Sequence, residues 1–187
     1  MERPYDDFQH IRSLIEQFLG RRTIRSALSV IRANEITGWE IWLQVEFARF
    51  LAEHPDEPEW KREVRFEFDY RREKNSWYLK PDFLIRKKGA AVDRYMALEI
   101  KQHSQLGSCM SNMIIDLAKV RRIRKSEVDL RSYWALGIFQ ADAQDDIRGI
   151  IETKLEEHGL PIHWGLMTHN RIGKTGFKYA LLSGVAF

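Results

Sequence analysis

The sequence predicts an α/β fold, a central mixed β-sheet flanked by helices, with an N-terminal helical extension. Three observations carry this expectation. Apolar residues recur at helical spacing from about residue 5 to residue 54. From about residue 64 the pattern changes to strand-like alternation. Further on, a long helical stretch separates two strand-like segments, so those strands are expected to lie parallel and adjacent.

Taken in order, residues 5–19 place Phe8, Ile11, Leu14, Ile15, Phe18 and Leu19 on one helical stripe, which Gly20 breaks. A second helix runs from about Thr23 to Arg32 through Ile24, Ala27, Leu28 and Ile31. Residues 1–36 are read as a helical extension that by default covers the sheet, with DNA contacts or a dimer surface as the alternatives, and 37–187 as the main domain. A third helix starts after Thr37-Gly38, with Thr37 as its N-cap, and ends near His54-Pro55. Val64, Phe66 and Phe68 then interleave with Arg65, Glu67 and Asp69 as a half-buried strand. Two more strands are expected over 77–86 and 94–102, joined by a turn at Lys88-Gly89. Met110, Met113, Ile114, Leu117 and Val120 carry a helix over 107–125. An aromatic-rich strand at 133–140, an acidic helix at 142–157 and strands near 162–167 and 177–182 complete the chain.

The length of 187 residues suits one domain, and 44% hydrophobic with 30% charged residues excludes a disordered or fibrous chain. A single cysteine, Cys109, excludes an internal disulfide and a cysteine-rich zinc cage. The polar, acidic start and the absence of any apolar run of about 18 residues predict a soluble cytoplasmic protein without a membrane partner. Net charge is only +3, but Lys119, Arg121, Arg122, Arg124 and Lys125 fill five of seven positions. Such a run suits either a solvated helix C-terminus or contacts to phosphate.

The chemistry concentrates in Leu79-Lys80-Pro81-Asp82-Phe83 and in Leu98-Glu99-Ile100-Lys101. Alternation puts Glu99 and Lys101 on one face of a strand, with Met96, Leu98 and Ile100 on the other, toward the core. Asp82 follows Pro81, which cannot donate to a ladder and so marks an edge or a bulge. Two carboxylates on neighbouring strands make a hard-oxygen pocket suited to Mg²⁺, with Mn²⁺ as a substitute, and a nearby lysine can steady an attacking water or a charged phosphate. An exposed Glu-x-Lys triplet on its own is common surface chemistry. The preceding helix adds weight. At about 100° per residue, Glu40 and Gln44 fall one turn apart among Leu43, Phe47, Leu51, Ala48 and Ile41. Glu46, Arg49 and Glu53 take the polar side, together with Trp42, a candidate protein or nucleic-acid contact. A carboxylate aimed at the core conflicts with the pattern around it, and such conflicts concentrate at functional sites.

These motifs resemble the PD-(D/E)xK phosphodiesterase superfamily of restriction-endonuclease-like fold: Pro81-Asp82, then Glu99-Ile100-Lys101 seventeen residues on, preceded by a helix glutamate. The resemblance covers residues 37–140. It implies Asp82 and Glu99 as metal ligands, Lys101 as the catalytic lysine, and Glu40 as a helix carboxylate supporting the metal shell. It further implies the Ile100 carbonyl as an additional ligand and Gln44 as a polar companion on the helix. His103 shares the Glu99–Lys101 face if the strand extends that far; it is a supporting candidate for a phosphate contact, with a strand-end histidine of no catalytic duty as the plainer reading.

Other motifs fall short. Gly173-Lys174-Thr175 lacks the earlier glycine of a phosphate-binding loop, because position 168 is Thr168. The histidines show no zinc spacing, and Cys109 has no histidine and acid partners. Asp116 reads as a local partner of Lys119 at i,i+3. The expected activity is a Mg²⁺-dependent endonuclease or phosphodiesterase acting on DNA in preference to RNA. Lys119, Arg121, Arg122, Arg124 and Lys125, with Arg86, Lys87 and Lys88, would supply phosphate contacts. A chain this short leaves sequence specificity to a homodimer or a partner subunit. The competing expectation is a non-catalytic binding or inhibitor protein of immunity type on the same fold.

Overall fold

The computed structural model describes residues 2–67, 78–91, 95–120, 130–142 and 144–184. Three helices come first: α1 (Glu2–Gly20), α2 (Arg22–Ala33) and α3 (Glu40–Ala52). Four short strands follow, β1 (Glu59–Arg62), β2 (Phe66–Glu67), β3 (Tyr78–Leu79) and β4 (Phe83–Arg86). The long strand β5 (Tyr95–Gln105) leads into α4 (Leu106–Val120), and then come β6 (Leu130–Gln140), α5 (Ile147–Glu157), β7 (Met167–Arg171) and β8 (Phe177–Ser183). The main sheet has the order β1-β4-β5-β6-β8-β7, with β2 and β3 forming a separate pair. Strands β5 and β6 are parallel, with Glu99 opposite Ala135 and Lys101 opposite Gly137, as expected from the helix that connects them. The other neighbours in the main sheet are antiparallel.

Strand alternation divides the core between the two faces of this sheet. Met96, Leu98, Ile100, Trp134, Leu136 and Ile138 pack against the helices α1, α2 and α3. Tyr95, Ala97, Tyr133, Ala135 and Phe139 pack against α4 and α5. The first thirty-six residues therefore cover one sheet face, with Ile11, Ile15 and Phe18 fully buried. No described helix is long and apolar enough to cross a membrane.

Several expectations are corrected. The stretch over 77–86 is two strands, not one, interrupted at Lys80-Pro81-Asp82 where Pro81 has no N–H for a ladder. The alternation around Val64 yields only the two paired residues of β2, and positions 68–77 lie outside the described residues. Thr37 does not cap α3: Gly38 turns the chain at φ 70° and Trp39 takes the N-cap position. Ile41, placed on the apolar side of α3, is 71% exposed. The buried stripe is Leu43, Gln44, Phe47, Phe50 and Leu51, because Phe47 sits between Phe18 and Phe83, each at a centroid distance of 5.1 Å. Trp42 leans on this core beside Trp39 instead of standing clear of it. The strand expected at 162–167 is a 3₁₀ turn (Trp164–Leu166) that leads into β7. The helix expected from 142 starts at Ile147, where the Asp146 carboxylate accepts the Gly149 N–H at 2.9 Å.

Candidate active site

The site forms where β4 parts from β5. Their ladder ends at the Phe83–Leu98 pair. Beyond it, alternate N–H groups of β5 still point to the side that β4 has left, and each needs another acceptor. The Asp82 carboxylate accepts the Ile100 N–H at 2.7 Å, and the Glu40 carboxylate accepts the Gln102 N–H at 3.1 Å. In return, Glu99 Oε2 accepts the Asp82 N–H at 3.3 Å. Two side chains expected to cooperate thus sit together because a proline-terminated strand leaves two amides unpaired. Burial, followed by the proximity of Glu99, pushes the Asp82 pKa from 3.8 up to about 7. Burial also raises Glu99, against the pull of Lys101.

Lys101 lies on the same face, with its ammonium 2.7 Å from Glu99 Oε1 and 3.0 Å from Asp116 Oδ2. Burial is the largest influence on this lysine and works against its charge, yet Glu99 and Asp116 together hold its pKa above the ordinary value. Asp116 comes from α4, is 7% exposed, and also holds Lys119. Tyr133, fully buried on β6, donates its hydroxyl to Glu99 Oε2 at 3.4 Å. Burial and the surrounding carboxylates keep its phenol pKa well above 10. The described residues thus gather Asp82, Glu99, Lys101, Asp116 and Tyr133, with Glu40 at the neighbouring amide.

The other expected residues are placed differently. Gln44 is buried, but its carbonyl accepts from Arg62 on β1 at 2.9 Å, bracing α3 against the sheet. His103 is half-buried at the end of β5, where its Nδ1 accepts the Gln105 N–H at 3.0 Å. It lines a cleft of about 490 Å³ with Arg32, Thr37, Trp39, Gln102 and Gln140. Arg86, Lys87 and Lys88 lie at the far end of β4 from Asp82, a separation of roughly 13 Å along a four-residue strand. Arg86 is bound by Glu59 and Lys88 by Glu57, while Lys87 is exposed. Lys119 serves Asp116. Arg121, Arg122, Arg124 and Lys125 lie outside the described residues.

Among the described residues, no three His, Cys, Asp or Glu side chains converge closely enough to hold an ion on their own. The pair Asp82 and Glu99 nevertheless fits a hard divalent cation. Both are carboxylates, both are driven toward the protonated form by burial, and added positive charge would relieve that strain. Sequence reasoning missed the roles of Asp116 and Tyr133. The signal for Asp116 was present, since it stands three residues after Met113 and four before Val120, inside the apolar stripe of its helix. Tyr133 carries no such mark, because a tyrosine on an aromatic-rich strand is ordinary core. No family model, no curated protein and no solved structure matches the chain.

Proposed function

We propose that this chain is a divalent-metal-dependent nuclease on a restriction-endonuclease-like fold, hydrolysing phosphodiester bonds in DNA in preference to RNA. The observation that supports it most is the pair of half-buried Asp82 and buried Glu99 at a strand split, with the Lys101 ammonium held 2.7 Å from Glu99. Mg²⁺ or Mn²⁺ at this pair, with the Ile100 carbonyl beside it, would supply Lewis acidity and a water of lowered pKa. Asp82 and Glu99 act as its carboxylate ligands, oriented by the Ile100 N–H and by the Tyr133 hydroxyl respectively. Glu40, fixed on the next amide along the strand edge, takes an outer position suited to a water-mediated contact. Lys101 faces the same space and meets the negative charge that builds on the phosphate oxygens. Sequence recognition beyond phosphate contacts falls to a second copy or a partner subunit in the cytoplasm.

One observation favours the rival reading of a non-catalytic binding protein. Arg86 and Lys88 are neutralised by glutamates and stand away from the carboxylate pair. Incubating plasmid, single-stranded DNA and RNA with Mg²⁺ or Mn²⁺ separates the readings. The nuclease reading expects DNA cleavage that falls by about 10²-fold or more in Lys101→Ala. A wild-type protein that neither cuts nor gains thermal stability with either metal overturns it. Equal cutting by Lys101→Ala moves the chemistry to a different site.

A further inference from the structure

We propose that Asp116 is the second seat of the Lys101 ammonium and the residue that keeps it in place when Glu99 is given up to a cation. The consequence for catalysis rests on the nuclease reading, whereas the placement of the lysine does not. Lys101 is shared between two carboxylates, at 2.7 Å from Glu99 and 3.0 Å from Asp116, with its side chain only 20% exposed. Among the described residues, Lys101 and Lys119 are the ammonium groups bound by Asp116, with Asp82 and Glu99 alongside. The lysine as observed occupies an oxygen that a metal would need. When a cation claims Glu99, an unpaired ammonium in this half-closed site is unfavourable, and the Asp116 oxygen already in contact accepts it with little movement.

The approach of α4 that makes this possible is built into the sheet. Position 137, opposite Lys101 in the parallel register, is glycine. A β-carbon there would fall 2.2 Å from Met113 Sδ and 2.9 Å from Cys109 Sγ, so the bare glycine leaves the space that these two α4 side chains fill against the strand. Asp116 follows Met113 by one turn and comes down onto Lys101. Asp116 is therefore a positioning residue that acts through Lys101, and it regulates access of the ion to Glu99.

Two measurements test this, the first without metal or nucleic acid. Acetylation by acetic anhydride in chelator, read by mass spectrometry, should find Lys101 protected in the wild type. In Asp116→Asn, labelling of Lys101 should rise about tenfold, as expected on losing one charge-assisted hydrogen bond. Asp116→Glu, which keeps the charge, should hold Lys101 protected, and it also serves if the Asn variant does not fold. Cys109, fully buried on the same helix, should stay unreactive to a thiol reagent, showing that α4 has not lifted. Unchanged Lys101 labelling, or a rise matched by Cys109 exposure, overturns the proposal.

The second measurement is the Mg²⁺-induced rise in melting temperature. Asp116→Asn should shrink it, because Lys101 then competes undivided for Glu99, and should leave it unchanged in a Lys101→Met background. An equal effect in both backgrounds means that Asp116 acts on the ion directly, and the proposal fails. If the labelling result holds while the wild type neither cuts DNA nor responds to metal, the nuclease reading fails and the placement of Lys101 stands.

Discussion

Asp82 ties the charge of a single side chain to the stability of the fold. Its pKa is about 7 in the folded protein against an ordinary 3.8, so between these values the folded chain retains a proton that the unfolded chain has released. Stability therefore falls as pH rises from 4 to 7, by about 1.4 kcal/mol for each unit of separation at most. His10 acts in the opposite direction. Burial lowers it to about 4, so its share of stability is lost as pH falls below the ordinary 6.5. Comparing Asp82→Asn with the wild type isolates the aspartate. We expect the variant to melt at a higher temperature at pH 8 and at about the same temperature at pH 4, both without metal. A variant that melts lower at pH 8 shows that Asp82 is not charged against its surroundings. Glu40 gives a graded comparison. It reaches the site through one backbone amide, so Glu40→Gln should lose less activity than Asp82→Asn or Glu99→Gln. Glu46→Gln, which alters a carboxylate paired with Arg49, should change little. A larger loss at Glu46 than at Glu40 would refute the orientation of α3.

At the scale of elements, the site depends on how closely α4 lies over β5 and β6, and two α4 side chains fill the space above Gly137. Its missing β-carbon leaves room for the Met113 and Cys109 sulfurs, so Gly137→Ala requires these side chains to re-orient or α4 to shift outward. Overpacking of this kind destabilises a core by about 1–3 kcal/mol, which urea denaturation would measure. Where α4 shifts, Asp116 is drawn away from Lys101, and the nuclease reading then expects DNA cleavage to fall even at temperatures where the variant is fully folded. Unaltered activity with reduced stability would separate the helix position from the chemistry. Which elements were legible in the sequence follows from the same local forces. The helix–strand alternation and the parallel β5–β6 pair were readable because periodicity and a connecting helix constrain them. Pro81 signalled the split that creates the site. Strand β1 was not readable, since Glu59-Trp60-Lys61-Arg62 has no alternation and pairs only because β4 offers an edge. Asp116 was recoverable by the test that found Glu40, a carboxylate within an apolar arc. Its proximity to Lys119 supplied a sufficient local partner, and the contact that matters crosses to another element.

For the molecule as a whole, the first thirty-six residues are read from sequence as an extension, and α1 and α2 supply buried side chains to the cover of one sheet face. Phe8, Ile11, Leu14, Ile15, Phe18 and Leu19 of α1 are all buried in the cluster that contains Met96, Leu98 and Ile100 of β5. Asp7, 4% exposed, binds Arg131 at 2.8 Å and so anchors α1 to β6. The apolar stripe of α1 made covering the sheet the default expectation, and the structure bears it out, but a linear pattern does not name β5 as the strand it meets. Each of those six side chains contributes roughly 1.5–3 kcal/mol when buried. Together they rival the whole stability of an ordinary domain, about 5–15 kcal/mol. Removing them would also expose the back of the strand that holds Glu99 and Lys101. A chain truncated to 37–187 is therefore expected to lose its cooperative thermal transition and to bind a hydrophobic dye, and it should cut no DNA. Should that fragment melt cooperatively near the temperature of the full chain, α1 and α2 are a dispensable appendage, and the sheet must be stabilised on that face by α3 alone.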